Sequence, residues 1–207
     1  MSARQNRVRP TGEIVAEPVR GMFMGNRGIL HDDAGALGLS RWKHPHWVTC
    51  VLDFKGRHRQ VMRPKNYTEL FFLDEAVALA AGHRPCAECR RADFNAFRRA
   101  FGSDLRAPEI DAILHPARVD RRSRHQIRHA AAVTDLPDGS FILHEGAAHL
   151  VQGACIRPFC PPGYGPARPR PRGEVTVLTP KPTLRALQNG YRPVLHRSAD
   201  PGALTAS

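Results

Sequence analysis

The residues best placed to do chemistry are two cysteines two positions apart, Cys86 and Cys89, in the stretch "AAGHRPCAECRRADF". A C-x-x-C pair supplies two thiolates on one tight turn. That spans one edge of a zinc tetrahedron and leaves two ligands to come from elsewhere in the chain. The same spacing serves thiol–disulfide exchange, which favours a pair at the end of a strand in a βαβ unit. Here the pair follows a helical segment with its glycine and precedes a second helical segment. A helix N-terminus lowers a thiol pKa, so redox chemistry stays open beside zinc, as does plain packing. Arg90 and Arg91, next to the pair, favour thiolates.

These cysteines must be held by the elements around them. "YTELFFL" reads as a short strand, and "DEAVALAAG" as a short helix with Asp74 as N-cap and Gly82 at its C-terminal stop. After the pair, Phe94, Phe97 and Phe101 recur at helical spacing with Arg90, Arg91, Arg98 and Arg99 largely off that stripe, a basic amphipathic helix closed by Gly102. "APEIDAILHPAR" reads as a further helix, with Ile110, Ile113 and Leu114 on one face. Upstream, "GMFMGNRGILHDDAGALG" reads as strand, turn and loop, and "HWVTCVLDFKGRHRQVM" as a hairpin turning at "KGR". Downstream, turn signals at Pro137-Asp138-Gly139, Glu145-Gly146 and Gln152-Gly153 separate runs of strand length. They are followed by a strand in "VTVLTP", a helix in "KPTLRALQNG" and a last strand in "YRPVLH". The expected fold is α+β: a loose basic tail over 1–20, a zinc-binding α/β part over 21–118, a basic connector over 119–132, and a β-rich region over 133–207.

Composition bounds the function. At 42% hydrophobic and 24% charged, the 207 residues are globular, and no apolar run reaches the ~20 residues of a membrane span, so no membrane partner is expected. The basic N-terminus has no apolar stretch behind it and does not read as a secretory signal. Five cysteines in no dense framework point to a reducing compartment, the cytoplasm, without structural disulfides. The net charge is +12, carried by 27 arginines against four lysines. Arginine pairs bidentately with phosphate and with guanine edges, so nucleic acid is the expected partner; the alternative is a compositional bias toward Arg, Ala, Gly and Pro.

The segment "ELFFLDEAVALAAGHRPCAECRR" resembles the metal-binding domain of Ada-type DNA repair and regulatory proteins, through Phe71, Phe72, Glu75, Ala76, Ala81, Gly82, Arg84, Pro85, Cys86 and Cys89. The resemblance implies a small mixed α/β zinc domain that binds DNA, with four cysteine ligands, one of which accepts a methyl group from a phosphotriester. "NRGILHDD" is similar to the segment that carries the family's first cysteine pair, but has His31 and no cysteine; the upstream cysteine is Cys50. The expected site is therefore a zinc ion held by His31, Cys50, Cys86 and Cys89, with His44, His46 and His83 as rivals and Asp32 or Asp33 as weaker ones. His31 could instead be a surface-loop histidine and Cys50 a core residue of its strand. Because a histidine cannot take up a methyl group as the family's thiolate does, zinc and DNA affinity are expected without methyl acceptance. The DNA contacts are expected from Arg84, Arg90, Arg91, Arg98 and Arg99.

Other constellations are weaker. His115, His125 and His129, with arginines and Glu109, Asp111 or Asp120, could form a phosphodiesterase site of a nucleic-acid processing enzyme, although a solvated linker explains them as well. Tyr164 and Tyr191 stand beside arginines, as stacking residues of single-strand binders do, and also suit turns. Cys155 and Cys160 could make a second metal site but lack an evident partner pair.

Overall fold

The computed structural model describes residues 3–56, 60–102 and 105–200. In the first half, β1 (Gln5–Val8) and β2 (Ile14–Ala16) pair antiparallel, and β3 (Phe23–Asn26) lies antiparallel between β4 (Val48–Cys50) and β5 (Leu70–Phe72). β1 joins β5 in parallel, and β6 (Arg84–Pro85) joins β4 in parallel, giving a six-stranded mixed sheet in the order β2-β1-β5-β3-β4-β6. Residues 5–16, expected in a loose tail, are thus part of the sheet. Val8 and Ile14 are buried in the core, and these two apolar side chains among polar neighbours give too short an alternation to be read as strands. The expected hairpin after Trp47 does not form as read. β4 stops at Cys50 because its edge is taken by β6, whose chain continues the contact with the Cys86 N–H on the Thr49 carbonyl at 2.9 Å. Part of that hairpin's turn, 57–59, lies outside the described residues.

Three helices follow the capping signals. α1 (Glu75–Ala80) starts at Asp74, whose carboxylate accepts the Val77 N–H at 3.0 Å, and every residue of it is buried. Gly82, at φ +84°, turns the chain out of it, and a Cβ there would lie 2.6 Å from Arg118 Cδ, so both backbone and space demand glycine. α2 (Arg91–Phe101) ends at Gly102 in the left-handed region. Its Phe94, Phe97 and Phe101 pack with Ile110 and Leu114 of α3 (Ala107–Arg118), while Ile113 is 44% exposed.

The second half is an antiparallel sheet of β7 (His129–Ala132), β8 (Phe141–His144), β9 (Ala147–Gln152), β10 (Cys155–Cys160), β11 (Gly163–Tyr164), β12 (Arg168–Pro169) and β13 (Glu174–Val177). The order is β11-β10-β9-β8-β13-β7, with β12 on β10, and α4 (Lys181–Gln188) follows. The chain is α+β. One core runs through both halves, joining Val8, Phe72 and Val77 to Phe141, Leu150 and Leu178.

The last expected strand, "YRPVLH", is absent. Its backbone N–H groups go to buried carboxylates instead of a ladder: Val194 to Glu75 at 2.9 Å and His196 to Asp74 at 3.0 Å. No helix among the described residues is long and apolar enough to cross a membrane.

Candidate metal centre

Thr49 of β4 is level with Pro85 of β6, so Cys50, the last residue of β4, and Cys86, the first residue after β6, come side by side. The C-x-x-C turn brings Cys89 back to the same place just before α2. The three sulfurs lie within 4.8 Å of one another, each residue half-buried and none in a disulfide. The backbone points donors at them: the Glu88 N–H reaches Cys86 Sγ at 3.4 Å, and the Val51 N–H is directed at Cys89 Sγ.

Protons in this set are shared. The Cys86 thiol falls to about 5, first because Cys50 donates to it, against the opposing effect of burial, and then because the Cys89 and Glu88 N–H groups face it. Cys89 is lowered for the same first reason. Cys50, held between the two, is pushed up and keeps its proton. A cation in the centre would release that proton and bind three thiolates.

The geometry suits a tetrahedral ion. Zinc–sulfur bonds of about 2.3 Å place sulfurs roughly 3.8 Å apart, a spacing compatible with a set that lies within 4.8 Å. A redox pair needs two thiols and has no use for Cys50, and packing sulfurs would not line a cavity. These three do line one, of about 640 Å³, whose wall is largely apolar through Met24, Phe54, Val61 and Phe71. Arg7, Arg20, Glu69 and Glu88 also border it, with the Glu69 carboxylate accepting the Met62 N–H at 2.6 Å. Three protein sulfurs leave one position of a four-coordinate ion for water or another ligand.

The structure brings Cys50, Cys86 and Cys89 together and leaves His31 out. The His31 ring is buried with Nδ1 2.7 Å from the Thr68 hydroxyl and Nε2 3.3 Å from the Arg63 carbonyl, a structural link between loops. The rival histidines are also elsewhere. His46 Nδ1 is 2.8 Å from Asp111, His44 stacks on His46, and His83 is buried against Phe72 and Trp47. Asp32 accepts two loop N–H groups, and Asp33 is exposed outside the sulfur set. Cys155 and Cys160 sit at opposite ends of β10, and among the described residues only the three sulfurs form such a group.

Known proteins add nothing to this assignment. The chain matches no family model, no curated protein and no solved structure.

The five arginines expected on nucleic acid divide by burial. Arg84 is 4% exposed and makes two hydrogen bonds to Asp111, at 2.9 and 2.7 Å. Arg90 is equally buried, pairing Glu75 and Asp93 at 2.9 Å each, with its guanidinium over the Phe23 ring. Both are scaffold: their partners already satisfy the charge, and no phosphate can approach. Arg91 and Arg99 are exposed and Arg98 half-buried along α2. The proposed phosphodiesterase set does not converge, because Glu109 and Asp120 hold the turns at their own helix and loop ends and Asp111 is taken by Arg84 and His46. Tyr164 and Tyr191 are buried, their hydroxyls donating to Asp74 at 2.7 Å and Glu75 at 2.6 Å, so neither offers a stacking face.

Sequence reading missed one cluster entirely. Arg27 and Arg118 stack on the Trp47 ring, their guanidinium carbons 4.0 and 4.1 Å from its centroid. A tryptophan immediately before a short strand is a weak signal, and the two arginines are 91 positions apart in the sequence.

Proposed function

We propose that this is a zinc-binding protein that engages nucleic acid, DNA first, in the manner the likeness to the Ada metal-binding domain implies but without accepting methyl groups. The observation that carries the metal is the convergence of Cys50, Cys86 and Cys89. Nucleic acid is supported by the net charge of +12 and by the exposed Arg91 and Arg99 on the helix that begins beside the thiols. Methyl acceptance is not part of the reading, since the four-thiolate set of that family has three members here. Reduced thiols in such a centre suit the cytoplasm.

A second reading, a nucleic-acid processing enzyme, is favoured by one feature: the sulfurs border a cavity, so the fourth position on the ion is open to a water or a substrate atom. Metal analysis of protein purified without chelator should give one zinc per chain, and DNA affinity should fall roughly tenfold or more between 50 and 200 mM salt. Binding without strand cleavage or base modification supports the first reading, and turnover supports the second. Neither zinc nor DNA affinity would sink both.

A further inference from the structure

The Arg27–Trp47–Arg118 cluster forms the floor of a cleft of about 390 Å³ between the β1–β2 turn, the loop before β4 and the segment after α3. Arg27 is 3% exposed and Arg118 2%, yet neither has a hydrogen-bonded carboxylate. Arg27 makes only long contacts, Nε to His83 Nε2 at 3.3 Å and Nη2 to the Ala81 carbonyl at 3.4 Å. Arg118 donates to the Gly82 carbonyl at 2.7 Å and to the Pro45 carbonyl, with His115 Nδ1 3.2 Å from Nη2, and its Nε is buried with no partner. Charged donors with a proper acceptor sit at about 2.7–2.9 Å, a length that Arg27 does not reach, and for both arginines burial without a paired counter-charge is costly.

The surroundings add to the surplus. Arg41 and Arg124 stand at the rim, their Nη1 atoms donating to the Gly38 and Leu39 carbonyls, and with Ser123 and His125 they face the same space. The carboxylate bordering the cleft is Glu13, which accepts the Thr11 hydroxyl and lies 4.0 Å from Arg9. Asp111, packed nearby, is spent on Arg84 and His46. A second hollow lined by Leu39, Arg41, Trp42 and Arg124 continues the cleft outward. Burial, together with the like charge of Arg118 and Arg41, already lowers the Arg27 pKa to about 9.

We infer that this cleft seats a phosphate group, with Arg27 and Arg118 at its base and Arg41 and Arg124 closing over it. A phosphate offers several acceptor oxygens to converging guanidinium forks and supplies the negative charge that the chain withholds. Naming the nucleic-acid backbone as the source of that phosphate rests on the proposed function; the seat itself does not, and a small phosphorylated molecule presents the same chemistry.

The two tryptophans of the chain, Trp42 and Trp47, both lie at this cleft, with ring centroids 6.1 Å apart, so selectively excited tryptophan fluorescence reports on it. Pyrophosphate titrated into the zinc-loaded protein should change that fluorescence saturably. The exposed-side variant Arg41→Gln with Arg124→Gln should weaken the response about tenfold or more, with zinc content and thermal melting unchanged. No saturable response below roughly 10 mM, or an equal response in the double variant, overturns the seat. An oligonucleotide that displaces pyrophosphate confirms the backbone as the source. An oligonucleotide that binds without displacing it overturns that source and leaves the seat to a small phosphorylated molecule. If pyrophosphate binds and no oligonucleotide does, the nucleic-acid reading fails while the seat stands.

Discussion

The parallel strands β4 and β6 carry opposite chemistry at their two ends. At and just past their C-terminal ends stand Cys50, Cys86 and Cys89, groups that ionise to anions and share a proton. Just before their first residues stand Trp47 and His83, in contact with the cations Arg27 and Arg118. The strands themselves decide neither sign. Side chains delivered from elsewhere do: Cys89 by the C-x-x-C turn, Arg27 by the residue after β3, Arg118 by the last turn of α3. Elsewhere in the same half, Arg84 and Arg90 are just as buried but bring Asp111 and Glu75 with them. A buried charge that has its partner on the chain is scaffold. The two strand ends lack theirs, one a cation and the other an anion, and on that difference rests the inference that they bind where the paired arginines brace.

The sharpest way to break this contrast is at the sulfur end. Stripping zinc with a chelator, or Cys86→Ser, should cost up to about 10 kcal/mol of unfolding free energy, on the scale of structural zinc sites. Urea denaturation with and without chelator measures it. An unmoved midpoint means that this end holds no metal and that the two ends differ less than their charges suggest.

The next largest effect tests the braces. Asp111→Ala leaves Arg84 buried and unpaired and should cost about 3–5 kcal/mol by the same denaturation measurement. A loss below about 1 kcal/mol, the size of an exposed pair, would mean that paired and unpaired buried cations are energetically alike here.

The smallest effect sharpens the cation end. Burial first, then Arg118 and Arg121, hold the His115 pKa down to about 4. An unfolded imidazole titrates near 6.5, so between pH 6.5 and about 4 the unfolded chain binds a proton that the native state refuses. Stability therefore falls with pH across that window, by at most about 3 kcal/mol from this group. Asp74 works the other way: burial raises its carboxyl to about 6, so it adds stability as pH falls from there toward 4. Comparing the parent with His115→Gln removes that common contribution. The variant should lose less stability on acidification, and coincident curves would show that burial and the arginines do not hold this ring neutral.

Local signals were legible and long-range pairings were not. Asp74, Gly82 and Gly102 mark helix ends through backbone rules that need only neighbouring residues; α1 begins and ends, and α2 ends, where those rules put them. The turns at Glu145-Gly146 and Gln152-Gly153 work the same way and delimit β8, β9 and β10. Cys86 and Cys89 announce themselves by spacing, and Cys50 joined them as the one upstream cysteine. His31 was drawn in by the likeness of its loop to another segment, whereas the fold spends it on Thr68. Arg84 and Arg90 looked like phosphate contacts because sequence gives a side chain's charge but not its neighbour. Asp111 and Glu75, which neutralise them, lie 27 positions downstream and 15 upstream. The Arg27–Trp47–Arg118 stack is assembled from three elements and leaves no periodic trace.

The carboxylates that begin α1 also set an order of events during synthesis. Asp74 and Glu75 are buried, and the groups that satisfy them include the Tyr164 and Tyr191 hydroxyls and the N–H groups of Val194 and His196. All four lie in the last quarter of the chain. A nascent polypeptide that has reached only Cys160 can offer Asp74 the Val77 N–H and Glu75 the Arg90 guanidinium, but none of these four donors, so both acids stay only partly satisfied until the last quarter is made. The protein locks from the inside, and the key is translated last.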